Sequence, residues 1–106
     1  MKNIKIKVAE WKLVSLSYET REKNENRSQE KGFEIGYSIC CCCGKPIENP
    51  ESAKALHLIE GGKYFTEYEG IINSVNGADM GWWKVGAVCY KKYKKNEKEV
   101  EIINKD

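Results

Sequence analysis

Four consecutive cysteines, Cys40 to Cys43, followed by Gly44, constrain this chain more than any other feature. Neighbouring thiols cannot readily bridge to one another. A disulfide needs Cα atoms roughly 4.4–6.8 Å apart and a side-chain dihedral near ~90°, which a trans peptide between adjacent residues resists. A metal is the simpler reading of such a run. Cys40 and Cys43 stand at the Cys-x-x-Cys spacing that brings two thiolates to one tetrahedral ion around a tight turn, with Cys41 and Cys42 as spacers. Gly44 supplies the backbone freedom such a turn requires.

A structural zinc ion takes four protein ligands, so two more must come from elsewhere. Outside the run the chain has one other cysteine, Cys89, and one histidine, His57. The expected zinc site is therefore Cys40, Cys43, His57 and Cys89, with Cys41 or Cys42 as the replacement should His57 not reach. Reduced thiols packed as small hydrophobes are the bland alternative. A redox dithiol is disfavoured, because no strand-helix pattern of thioredoxin type surrounds the run.

At 106 residues the chain reads as a single domain whose core alone gives limited stability, so a metal staple is physically useful. The formal charge is only +2, but it is polarised along the sequence. Residues 46–80 carry six acids and two lysines, whereas residues 81–106 carry seven lysines and four acids. No apolar run approaches the roughly 20 residues of a membrane span, and no apolar leader opens the chain. Together with reduced, clustered cysteines this points to the cytoplasm.

Ile4, Ile6 and Val8 alternate with lysines as in a strand, and a second phase follows through Val14, Leu16 and Tyr18. Residues 19–32 hold four acids, four bases and almost no apolar side chains, and read as a mobile charged loop. Phe33, Ile35, Tyr37 and Ile39 alternate into Cys40 as a further strand. Ala53, Ala55, His57 and Ile59 share one strand face, Gly61-Gly62 marks a hairpin, and Tyr64 to Tyr68 forms the return strand. Residues 70–81 read as irregular. From Cys89 onward, Tyr90, Tyr93, Val100 and Ile103 among lysines and glutamates suit a carboxy-terminal helix. The fold class expected is α+β: a small antiparallel sheet with a zinc-ribbon-like knuckle and one carboxy-terminal helix. The early strand leaves an exposed edge through which a homodimer could form.

Two surfaces carry the functional readings. Trp82 and Trp83, set between glycines, should face opposite sides of the sheet, one of them outward. With Glu60, Glu67, Glu69 and Asp79 they would make a protein-binding face whose acids mimic phosphate charge. The alternative is a nucleic-acid face of Lys84, Lys91, Lys92, Lys94 and Lys95 with Tyr90 and Tyr93 as stacking groups. An isoelectric point near 8.2 argues against it, since nucleic-acid domains tend to lie above about 9. An enzyme is not expected, because a four-ligand zinc leaves no open position and a metal-bound His57 leaves no general base.

The segments CCCCGKPI, the histidine before Gly61-Gly62, and DMGWWKVGAVCYKK resemble a family of small proteins encoded by phages and mobile elements. The resemblance covers residues 40–92. It implies zinc on Cys40, Cys43, His57 and Cys89, a bacterial host cytoplasm, and a role as an inhibitor of a host defence complex, such as an anti-CRISPR protein. The implied partner is a host protein or ribonucleoprotein.

Overall fold

The structure, a computed structural model, describes residues 1–105. β1 (Lys2–Glu10) leads into a single helical turn, α1 (Trp11–Val14), and then into α2 (Tyr18–Glu30). The cysteine loop follows, then β2 (Lys54–Ile59), a 3-10 turn (Glu60–Gly62), β3 (Tyr64–Thr66), β4 (Trp82–Val85), α3 (Ala87–Lys95) and β5 (Lys98–Asn104). The five strands form one antiparallel sheet in the order β4-β2-β3-β1-β5. The fold class is α+β.

Strand alternation builds two cores, one on each side of the sheet. Pairing of Ala9 with Phe65, Phe65 with Leu58, and Leu56 with Trp83 puts these side chains and Val85 on one face. Val14 of α1, Cys40, Cys42 and Ile47 of the loop, and Cys89 and Tyr93 of α3 cover that face. Full burial of Leu56, Phe65 and Tyr93 contributes roughly 1.5–3 kcal/mol each. The opposite face carries Ile6, Val8, His57, Ile59, Trp82 and Ile102, and the segment between β3 and β4 covers it with Ile72.

Four sequence expectations are corrected, the last of them in part. Residues 19–32 are not a mobile loop: Tyr18–Glu30 is a helix, started by Ser17, whose hydroxyl accepts the Thr20 amide at 3.4 Å. Phe33 to Ile39 is not a strand, because Gly32 and Gly36 take positive φ (92° and 91°) and leave only isolated bridges at Ile35, Ile39 and Pro46. The carboxy-terminal helix ends at Lys95, and Val100 and Ile102 lie in β5, opposite Ile6 and Ile4. Lys7–Glu99 and Lys5–Glu101 face each other across the same ladder, pairs worth about 0.2–1 kcal/mol each. β1 is therefore flanked by β3 and β5, and the sheet edges are β4 and β5. The expected amino-terminal edge is covered only in part: β3 pairs with Val8, Ala9 and Glu10, while residues 2–7 pair with β5 alone.

Candidate metal centre

The cysteine loop is a tight turn, closed by the Gly44 amide donating to the Cys40 carbonyl at 2.9 Å and by the Cys40 amide donating to the Lys45 carbonyl at 2.9 Å. This curl sets Cys40 and Cys42 against Cys89 in the first turn of α3, their three sulfurs within 4.8 Å of one another. Cys43 lies beside this group, near enough to Cys40 and Cys89 for them to push its thiol upward, but outside the 4.8 Å set. All five cysteines are free thiols. Two zinc–thiolate bonds of roughly 2.3 Å at the tetrahedral angle set sulfurs about 3.8 Å apart, so a small contraction would close these three around one ion, with Cys43 the neighbouring candidate for a fourth ligand. The group could hold a metal.

Electrostatics favour loss of one proton here, that of Cys40. Cys42, Cys43 and Cys89 all donate toward Cys40, which pulls its thiol far below the ordinary range against the opposing effect of burial. The donors are pushed upward in turn: Cys42 and Cys89 mainly by their bonds to Cys40, and Cys43 by Cys40 and then Cys89. The backbone amides of Gly86 and Lys45 sit at the Cys40 and Cys43 sulfurs. Amides aimed at sulfur from a turn and from a helix start are the usual support of a thiolate-bound metal.

α2 rests on the outside of this loop, held by polar contacts to its carbonyls. Arg21 Nη1 donates to the Cys41 carbonyl at 3.3 Å, Asn24 Nδ2 to the Cys43 carbonyl at 2.7 Å, and Ser28 Oγ to the Gly44 carbonyl at 2.8 Å. The approach is so close that a Cβ on Gly44 would stand 2.4 Å from the Arg21 carbonyl oxygen. The Arg21 guanidinium lies over the Trp11 ring, 4.6 Å from its centre.

His57 is not part of the cluster. It faces the other side of the sheet, because β2 alternates and Leu56 is the residue turned toward the cysteines. Its Nδ1 bonds the Tyr68 carbonyl at 2.9 Å and its Nε2 the Asp79 carboxylate at 2.8 Å, while the ring stacks on Trp82 at 4.8 Å. Both ring nitrogens are taken, and it is Cys42, not His57, whose sulfur groups with those of Cys40 and Cys89. Asp79 also accepts the amides of Ile72 (3.0 Å) and Gly81 (2.8 Å). Burial works to raise its pKa, but these amides and His57 hold the carboxyl below the usual carboxylate range.

No family model, no curated protein and no solved structure matches the chain. The site speaks for itself.

Of the expected acidic surface Glu67 and Glu69 are exposed, Asp79 is half-buried and Glu60 is internal. Glu60 is buried and accepts the Ser74 hydroxyl at 2.9 Å, and Asp79 is committed to His57. Glu67 is tied to Lys94 and to the Tyr90 hydroxyl (2.7 Å), which keep its carboxyl below the usual range although desolvation opposes them. Among the described residues only Glu69 of that set is exposed with no ion pair. The tryptophans do part company: Trp82 is 45% exposed, and Trp83 turns to the cysteine side with Nε1 donating to the Met80 carbonyl at 2.9 Å.

The lysine-tyrosine face is likewise reduced. Tyr93 is fully buried and cannot stack a base, and Tyr90 is held by Glu67 with Lys54 over its ring at 5.6 Å. Lys84 lies over Tyr37 at 5.9 Å, and Lys92 stands at the rim of the cysteine cluster. Lys91 and Lys95 are exposed.

Proposed function

We propose that this chain is a non-enzymatic protein-interaction module whose fold is closed by one structural zinc ion on Cys40, Cys42, Cys43 and Cys89. The observation that carries it is the meeting of three cysteine sulfurs, Cys40 and Cys42 from the central loop and Cys89 from α3, with Cys43 beside them and amides directed at Cys40 and Cys43. Four soft, all-sulfur donors suit zinc, and a filled tetrahedral shell leaves no position for a reacting water. The ion would tie α3 to the loop and, through the loop carbonyls, to α2.

The interaction surface we assign is the opposite side of the sheet. Tyr68, Ile71, Val75, Met80 and Trp82 are each between 41% and 71% exposed and all belong to the stretch from the end of β3 into β4. No helix is long and apolar enough to cross a membrane. Trp82 rests on the His57 ring, so this indole is a rigid, half-open anchor of the kind that dominates protein interfaces. Inhibition of a host defence complex, implied by the phage and mobile-element resemblance, is the partner class proposed for this surface, within a bacterial cytoplasm.

A tagged pull-down from host lysate, with and without nuclease, tests the reading. Recovery of a stoichiometric protein that survives nuclease and is lost with Trp82→Ala is expected. Recovery of nucleic acid alone, lost on digestion, would move the function to the lysine-tyrosine face.

A further inference from the structure

The fifth cysteine is not absorbed by this centre. Cys41 is half-buried, beside a fully buried Cys42, and their sulfurs are 3.9 Å apart. Cys41 lines a cleft of about 370 Å³ bounded by Trp11, Arg21, Leu58 and Trp83, which gives a solute a route to the Cys41 side of this pair from outside, with Cys42 buried behind it. We propose that Cys41 and Cys42 form a second metal site, for a monovalent soft cation such as Cu(I), with the Cys42 thiolate shared between it and the four-sulfur centre. The inference rests on that centre being a metal site.

Three features support it. The donors are sulfur only, and thiolates select Cu(I) among the first-row ions. Two metal–sulfur bonds of roughly 2.3 Å span at most about 4.6 Å, so a 3.9 Å pair is bridged by one ion with little movement. The charge also balances. Binding replaces the Cys41 proton by a cation of equal charge (R–SH + M⁺ → R–S–M + H⁺), with no oxidation and no further charge buried beside the four thiolates.

The test is native mass spectrometry of the anaerobic, zinc-loaded protein given one to three equivalents of Cu(I) as its acetonitrile complex. The wild type should form a species with one zinc and one copper. Cys41→Ser should keep its one zinc and lose the mixed species. Identical species from wild type and Cys41→Ser, or exchange of zinc for copper without a mixed species, would overturn the second site while leaving the first intact. Failure of the wild type to hold zinc at the outset would instead overturn the four-sulfur reading, and this inference with it.

Discussion

Removing the metal should melt α2, although no residue of α2 touches the sulfur cluster as a ligand. The helix has only Ser28 buried, so it brings almost no apolar surface to the fold. A 13-residue helix of this kind is marginal in isolation. What holds it are the three bonds from Arg21, Asn24 and Ser28 to carbonyls of Cys41, Cys43 and Gly44. At a net ~0.5–1.5 kcal/mol each they anchor α2 by about 2–4 kcal/mol. On the proposed reading, those carbonyls are held in place by the loop's curl around its metal. Chelation should therefore speed amide hydrogen exchange across residues 18–30 by about 30-fold or more, the ratio that ~2 kcal/mol represents. Far-ultraviolet circular dichroism should lose up to half of its helical signal, since α2 supplies 13 helical residues against four in α1 and nine in α3. Asn24→Ala with Ser28→Ala should loosen α2 in the same way while the metal stays bound. Unchanged protection of α2 after complete metal removal, with faster exchange at residues 40–45, would refute the reasoning.

Gly44→Ala should lower the melting temperature by several degrees or more with metal still bound, because φ is +76° and the new Cβ meets the Arg21 carbonyl; calorimetry of the zinc form checks this. Asp79 gives a pH signature. Its carboxyl titrates lower in the folded than in the unfolded chain, so its contribution is present above about pH 4 and disappears as pH falls through the folded value. Urea midpoints of wild type and Asp79→Asn should differ at pH 6 and draw together as pH falls below the ordinary carboxylate range; a constant gap would show that ionisation of Asp79 is not the source. Glu67→Ala, which releases Lys94 and Tyr90 at an exposed site, should cost no more than about 1 kcal/mol in denaturant unfolding.

How far the sequence could be read follows from which signals are local. The alternation of Ile4, Ile6 and Val8 and the pattern through His57 and Ile59 announced β1 and β2, because each strand buries one regular set of side chains. α2 was hidden by its composition: a helix anchored on backbone carbonyls needs no apolar stripe, and only the Ser17 cap marked its start. β5 was drawn into the preceding helix by a lysine-rich sequence, although Val100 and Ile102 carry a period of two and Asn96 closes α3. Of the expected ligands, Cys40 and Cys89 do converge, with Cys43 beside them. His57 failed on parity, since the strand that holds it presents Leu56, not His57, to the cysteines. Cys42 could be named only as a substitute, because spacing alone does not say how tightly five residues curl. The engagement of Glu60 and Asp79 inside the fold depends on Ser74 and His57, partners distant in sequence, and left no local trace.

Cobalt substitution of three proteins in parallel tests the central claim most directly: wild type, Cys42→Ser and His57→Ala. With the ion on Cys40, Cys42, Cys43 and Cys89, His57→Ala should bind one Co(II) with the thiolate charge-transfer absorption of the wild type, even though it is less stable. Cys42→Ser should lose part of that absorption and bind at least tenfold more weakly. Loss of absorption in His57→Ala with none in Cys42→Ser would contradict the account.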